Sequence, residues 1–237
     1  MNFSDRNLAS LFMDGATIFL LLGMINHTTI YRQRRRTDDR LFFALLISDI
    51  LIALCDIAVA IANGETFEGA KLMNLLCESL FYITEAGFAY LVVLFLDYRI
   101  HRDEERHKKM RFFAAIPITL VEIMFLIGVP NGYFISVDDE NYYHYAKLYV
   151  IPVLVISLYA ITALALSVVY KLKYGKTRYI PLWLYAIPVA GAVLPFLVEM
   201  AAMIPISLAV YLAYIHMGIM NEQFFENMDA PKGGAVK

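Results

Sequence analysis

This chain of 237 residues has few cysteines, no catalytic sequence motif and no lysine in its last two apolar segments. The two cysteines, Cys55 and Cys77, lack any zinc-ligand spacing. A disulfide between them is geometrically conceivable, but we favour free, packed thiols. No His-Glu-x-x-His, Gly-x-Ser-x-Gly or phosphate-binding glycine loop occurs, so we predict no enzymatic activity and no cofactor. The last two apolar segments contain no lysine, which disfavours a retinal-binding protein because the Schiff base needs one.

Long apolar runs dominate the rest of the chain. Apolar residues make up 60% of the sequence, and its mean hydropathy is +0.59. A soluble domain has about 45–50% apolar residues, so the excess must face lipid. The segment up to Asp14 holds two aspartates and one arginine, so we expect no cleavable signal peptide. The basic stretches have no aromatic platform beside them, and we therefore predict no binding to nucleic acid.

The apolar runs predict an all-α fold with seven membrane-spanning helices. Crossing the hydrocarbon core takes about 20 apolar residues, and seven segments meet that length. They cover residues 10–31, 41–63, 72–97, 112–130, 146–170, 179–198 and 200–220. We expect residues 1–223 to form one membrane domain and residues 224–237 to form a short flexible tail.

The distribution of positive charge predicts how the bundle is oriented. Of the 20 Lys and Arg residues, fifteen lie in three predicted loops, Arg32–Arg40, Arg99–Arg111 and Lys171–Arg178. The other predicted connections between the apolar runs are short or acidic. Short loops rich in Lys and Arg stay in the cytoplasm, so we predict an N-terminus outside the cell, a cytoplasmic C-terminus and a location in the cell membrane.

Carboxylates within the predicted spans are the main candidates for a site. Placing a charged side chain in lipid costs free energy, so each carboxylate within a span suggests a function. Each should also face the interior of the bundle. The set comprises Asp49, Asp56, Glu78, Glu85, Glu122 and Glu199, of which we place all but Asp49 in a candidate ligand site. No Lys or Arg lies at the same depth. The acids are therefore either protonated groups that hold helices together, or the lining of a pocket for an inorganic cation or an amine-bearing ligand.

Residues at both membrane surfaces complete the candidate site. On the outside, we expect Tyr133, Phe134, Tyr142 and His144 of the large loop to contribute to ligand recognition. At the inner end of the third span, Asp97 and Arg99 could form a local ion pair that acts as a latch, or simply a helix-end charge cluster. We expect the last span and its extension to carry the signal, with Tyr214 and His216 among its residues.

Several short stretches, taken in order, resemble the N-terminal seven-helix module of bacterial diguanylate cyclases and related sensor kinases, especially those of Firmicutes. The resemblance covers about residues 40–223. It rests on Arg40-Leu41-Phe42, Tyr90-Leu91, Leu96-Asp97-Tyr98-Arg99, Asn131 to Asp138, Asn141-Tyr142, Ile187 to Gly191 and Asn221-Glu222-Gln223. It implies a sensory module that relays an extracellular or membrane-embedded cue to a catalytic domain. We expect that domain to be absent from this chain, so that the output needs a cytoplasmic signalling domain or partner.

Two other functions remain as alternatives. A transporter or channel could use the acids as a path for protons or cations, although the sequence lacks the internal repeat typical of transporters. A structural membrane subunit could use them only for packing. Whether the protein forms a homodimer is also left open.

Overall fold

The computed structural model describes residues 5–31, 37–174 and 203–229. These residues contain six helices long and apolar enough to cross a membrane, so the protein is a helical, multi-pass membrane protein. The helices are α1 (Asp5–Tyr31), α2 (Thr37–Ala62), α3 (Ala70–His101), α4 (Glu104–Gly128), α5 (Val150–Tyr174) and α6 (Met203–Asp229). The span predicted at 179–198 and Glu199 lie outside the described residues.

The stretch Arg99–Arg111, predicted to be a loop, is almost entirely helical, so that prediction was wrong. Only Arg102 and Asp103 separate α3 from α4. Arg102 adopts a left-handed conformation (φ 51°) and ends α3. Asp103 begins α4 because its carboxylate accepts hydrogen bonds from the backbone N–H groups of Glu105 and Arg106. Both helices therefore extend beyond the apolar segments that hydropathy detects.

Helix α3 is central to the described bundle. It packs against α2, α4 and α5, while α6 packs against α1 and α2. The core along these contacts is apolar and aromatic, and includes the fully buried rings of Phe42, Phe95 and Phe125. Large apolar side chains such as Phe12 and Phe19 instead point away from the bundle, with about four-fifths of their surface exposed. That pattern fits helices whose outer faces contact lipid.

A small hairpin lies beyond the ends of α2, α3 and α4. Strands β1 (Ile135–Val137) and β2 (Tyr143–Tyr145) pair antiparallel, with Ile135 opposite Tyr145. A 3₁₀ turn (Lys147–Tyr149) then leads into α5. We call this side of the molecule the hairpin end, and the opposite side, where α2 begins and α3 finishes, the ion-pair end.

Helix α6 continues beyond residue 220 to Asp229, so residues 224–229, which were expected to belong to the flexible tail, lie in this helix. One further prediction is confirmed. Cys55 and Cys77 are both free thiols.

Candidate functional site

Asn141 fastens the hairpin to the helices beneath it. Its backbone is left-handed (φ 64°), which turns the side chain toward the end of α2. There its amide donates hydrogen bonds to the carbonyls of Ala62 (2.6 Å) and Glu65 (2.8 Å). Its own carbonyl accepts bonds from the Gly64 N–H (3.0 Å) and the Asn74 amide (2.9 Å). Four bonds to two helices and their connection hold the hairpin in one position.

Below this anchor, four tyrosines surround the carboxylate of Glu78. We call Tyr82, Tyr143, Tyr145 and Tyr149 the tyrosine cluster. The Tyr145 hydroxyl donates to Glu78 Oε1 (3.3 Å) and accepts a bond from the Tyr82 hydroxyl (2.9 Å). The Tyr145 and Tyr149 rings stack with their centroids 4.3 Å apart, and Tyr82 meets the Tyr149 ring edge-on at 5.0 Å. Glu78 is only 5% exposed, so this contact links a buried acid directly to the hairpin.

Three further acids lie together at the interface of α1 and α2. Asp14 and Asp49 are fully buried, and Asp56 is 5% exposed. Asp14 lies next to Asp56 and near Asp49, while Asp56 also neighbours Glu78. The heptad spacing of Asp49 and Asp56 therefore does place both side chains inside the bundle.

The other predicted acids are less enclosed. Glu85 and Glu122 are both half-buried. Glu85 is near Glu78 and Tyr149, whereas Glu122 lies on α4 beside Tyr159, away from the tyrosine cluster. In the described part of the chain, no group of three or more His, Cys, Asp or Glu side chains is placed to hold a metal ion.

The predicted recognition residues of the hairpin have different positions. Phe134 is 2% exposed and stacks on Phe125 at 4.6 Å, so it belongs to the core and cannot contact a ligand at the surface. Tyr133 and Tyr142 are exposed. His144 is exposed too, and its Nε2 lies 2.7 Å from Asp138 Oδ2. That hydrogen bond holds the pKa of Asp138 below its ordinary value.

At the ion-pair end, Asp97 and Arg99 each contact a different helix. Arg99 pairs with Asp38 in the first turn of α2 at 3.3 Å. Asp97 pairs with Arg106 of α4 at 2.9 Å and with His101 at 3.2 Å. Side chains two residues apart on a helix point in nearly opposite directions, which explains why each residue reaches a separate neighbour. The predicted local pair is replaced by two connections, from α3 to α2 and from α3 to α4.

Glu104 adds a third connection at this end. Its Oε1 accepts hydrogen bonds from the Thr37 hydroxyl (2.7 Å) and the Tyr98 hydroxyl (2.9 Å). The start of α2, the end of α3 and the start of α4 therefore meet at one carboxylate. We refer to these polar contacts together as the ion-pair network, and it consists of Thr37, Asp38, Asp97, Tyr98, Arg99, His101, Glu104 and Arg106.

One turn beyond Asp38, an aromatic contact joins α2 to α6. Phe42 stacks on His216 with centroids 5.8 Å apart and planes within 8°. His27 of α1 meets the same imidazole edge-on at 5.1 Å. His216 therefore lies where three helices converge, whereas Tyr214 is 38% exposed and faces outward.

The ion-pair end also carries a groove at the start of α4. Its volume is about 460 Å³, and Asp103, Glu105, Arg106, Lys109, Met110 and Phe113 line it. Two acidic, two basic and two apolar side chains therefore share this surface.

Comparison with known proteins does not identify a family. The chain matches no protein-family model, and a search of curated proteins found no match.

Several candidate residues escaped the sequence analysis. Asp14 follows Ser10 and precedes Thr17 on the one face of α1 that is buried, and this spacing was the available signal. The hydrogen bonds of Asn141 to α2 and α3 and the bond between Tyr82 and Tyr145 had no such signal, because their partners lie more than 60 residues away in the chain.

Proposed function

We propose that the protein is a receptor-like sensory module of a cell membrane, which takes up a cue at the hairpin end and relays it to a partner at the ion-pair end. The observation that carries the proposal is the hydrogen bond from Tyr145 to Glu78. A surface hairpin and a buried acid of the central helix share this bond, so a cue that moves one must affect the other. With the orientation expected from the basic loops, the hairpin end faces outward.

A cation or an amine-bearing ligand fits this site best. Among the described residues, Glu78 forms no ion pair with Lys, Arg or His, so a bound positive charge would supply the missing partner. The faces of the tyrosine cluster would add cation–π attraction, which is how aromatic cages hold ammonium groups. Binding would have to open the stacked rings of Tyr145 and Tyr149, and that movement would be the signal.

The contacts support a relay in three steps. Helix α3 carries both Glu78 and Arg99, so a shift of α3 at the hairpin end would reach the ion-pair network. The pair between Arg99 and Asp38 would pass the shift to α2. The stacking of Phe42 on His216 would then pass it to α6, which extends to Asp229. This route agrees with the output through the last helix that the resemblance to sensory modules implies.

The groove lined by Arg106, Lys109 and Phe113 is our candidate surface for the cytoplasmic partner. It lies next to the ion-pair network because Arg106 belongs to both. A change in the pairing of Arg106 with Asp97 would alter the charge that the groove presents.

A binding screen on the full chain in detergent or nanodiscs tests the proposal. We would measure thermal unfolding with a panel of inorganic cations, primary amines and quaternary ammonium compounds. We expect at least one class to raise the unfolding temperature of the wild type, and Glu78→Gln and Tyr145→Phe to abolish that shift. Glu122→Gln and Tyr142→Phe are the matched controls and should keep it. A shift that persists in Glu78→Gln, or that no compound produces, would refute the site.

The rival function as a transporter or channel is favoured by the closeness of Glu78, Asp56, Asp14 and Asp49. Against it, the described side chains that follow toward the ion-pair end are mainly apolar, with the imidazoles of His27 and His216 beside Phe42. The apolar members are Met24, Phe42, Leu45, Leu46, Phe95, Leu212 and Ile215. We therefore expect no steady flux of protons or cations across liposomes that contain the protein. Sustained flux would favour the transporter, and a protein that binds no ligand and passes no ion would fit a structural subunit.

A further inference from the structure

The interface of α1 and α2 contains more acceptors of hydrogen bonds than donors. Both carboxyl oxygens of Asp14, both of Asp49 and one of Asp56 are buried without a hydrogen-bond partner in the described parts of the chain. Such atoms are rare in native proteins, because leaving a buried polar group unpaired is costly. Five such oxygens are concentrated here on two facing helices.

A hydroxyl on the same face of α1 as Asp14 also lacks a hydrogen-bond partner among the described residues. Thr17 is 1% exposed and follows Asp14 by one turn, and its Oγ1 also has no partner among the described residues. Because Asp14 faces Asp56 and the two helices run in opposite directions, Thr17 lies at a level between Asp56 and Asp49. Asp14, Thr17, Asp49 and Asp56 thus form a column of oxygens, which we call the acid column.

The groups of the described segments that face this column bring no positive charge. From α3 come Glu78, close to Asp56, and Cys77, close to Cys55 of α2. From α1 comes Ser10, which contacts Asp56, and from α6 the buried phenol of Tyr211 lies in the adjoining core. Within the described residues, Lys, Arg and His form no ion pair with any of these acids. Ionised carboxylates without such partners are strongly disfavoured inside a membrane protein.

The chemical nature of these oxygens indicates what can satisfy them. The unpartnered atoms are carboxylate and hydroxyl oxygens, and a carboxylate can only accept hydrogen bonds whereas a carboxylic acid also donates one. The described residues also provide no group of side chains placed to hold a metal ion. Protons would convert acceptors into donors and let Asp14 and Asp56 bond to each other, as their proximity allows.

Within the described residues, a series of contacts leads from the column to the surface. Asp56 neighbours Glu78, Glu78 accepts a bond from Tyr145, and Tyr145 is 46% exposed at the hairpin end. Toward the opposite end, mainly apolar side chains and the imidazoles of His27 and His216 lie between Asp49 and the ion-pair network. We infer that the acid column is a proton-binding site, loaded from the hairpin end through Tyr145 and Glu78, and that protons there hold α1 against α2. This site does not require the proposed sensory function, although both use Glu78.

Infrared spectroscopy of the full chain in lipid tests the occupancy of the site. The carbonyl stretch of protonated carboxylic acids is separate from that of carboxylates. We expect this band in the wild type at neutral pH, shifted by exchange into D₂O, with a partial loss in Asp14→Asn, Asp49→Asn and Asp56→Asn. Asp139→Asn, an exposed position on the hairpin, should leave the band unchanged. A spectrum in which the three column variants match the wild type would overturn the inference.

Vesicles with one orientation of the protein test the route of entry. They can be sorted by capture of an impermeant biotin reagent on Asp139→Cys, which marks the hairpin end. A rise in pH on the hairpin side should reduce the band promptly, and Glu78→Gln should slow the change. A response that is faster from the opposite side would contradict loading through Tyr145 and Glu78. Because no added ligand is involved, failure here leaves the ligand screen of the proposed function unaffected.

Asparagine resembles a protonated aspartate in shape and in its ability to donate a hydrogen bond, so the column variants should fold. The wild type should lose thermal stability as the pH rises, because the protons that join α1 to α2 dissociate. The variant with asparagine at all three positions should lose less stability over the same range. Equal losses in the two proteins would show that protons at these positions do not hold the helices together.

Discussion

The guanidinium of Arg99 lies 3.3 Å from the carboxylate of Asp38, and both side chains are almost completely buried. The pair joins the end of the central helix α3 to the first turn of α2. The Arg99 side chain also lies over the ring of Phe95, 5.7 Å from its centroid. An ion pair in this position fixes how two neighbouring helices meet at the ion-pair end.

Removal of Arg99 should therefore destabilise the protein strongly. Breaking a buried pair leaves one charge unpaired and costs about 3–5 kcal/mol. We expect Arg99→Ala to lower the free energy of unfolding by an amount near the lower end of that range. The exposed pair of Lys108 and Glu105 provides the control, and Lys108→Ala should change the free energy of unfolding far less. Denaturant titration in detergent would measure both, and equal effects would contradict a structural role for the Arg99 pair.

The anchor of the hairpin gives a second prediction. Asn141→Ala removes two side-chain hydrogen bonds and leaves buried carbonyls unsatisfied, which costs about 1–3 kcal/mol for each such group. Hydrogen exchange followed by mass spectrometry should show faster exchange over residues 131–149. Asn131→Ala loses one exposed bond and should change exchange little. Unaltered protection in Asn141→Ala would mean that the strands alone hold the hairpin.

A third prediction concerns the pH dependence of the hairpin. The hydrogen bond from His144 holds the pKa of Asp138 below its ordinary value of 3.8, so the folded state favours the charged carboxylate. Such a group stabilises the folded state when the pH is above its ordinary pKa. This stabilisation is lost as the pH falls through the lowered pKa of the folded state. The wild type should unfold at a higher temperature than Asp138→Asn near neutral pH, and the difference should vanish in acid. A gap between the two proteins that stays constant over this pH range would refute the assignment.

Gly128 provides a fourth prediction, based on close packing. A Cβ atom added to this residue would collide with the ring of Phe134. Gly128→Ala should therefore displace Phe134 from its stack on Phe125 and destabilise the junction of α4 with the hairpin by about 1–3 kcal/mol. Gly23→Ala is the matched control, because an added Cβ meets nothing within 4 Å there. Thermal unfolding of both variants checks this, and a stable Gly128→Ala would contradict the packing.

Hydropathy predicted the described helices, because lipid imposes a simple rule on long apolar segments. The described helices coincide with the predicted spans, and the spacing of Asp49 and Asp56 correctly placed both in the interior. The same reasoning missed the helical extension through residues 104–111, because a helix outside the apolar segment needs only a cap, which Asp103 supplies. The transmembrane orientation stays a prediction.

The candidate site was less predictable, because its contacts join distant parts of the chain. Asp97 and Arg99 were recognised, but their true partners, Arg106 and Asp38, depend on how three helices meet. Phe134 was taken for a surface residue because it lies in a polar loop, although the hairpin folds back and buries it against Phe125. Sequence patterns report which residue types are unusual at a given depth, but not which side chains face one another.

Communication between the two ends of the bundle is the central claim, and hydrogen exchange can test it directly. Tyr145→Phe removes the bond to Glu78 at the hairpin end while changing one atom. We predict altered exchange at the opposite end, over residues 37–45 and 104–111, with no such change in the control Tyr142→Phe. Exchange that changes only around the hairpin would contradict the relay and leave the tyrosine cluster as a local structural feature.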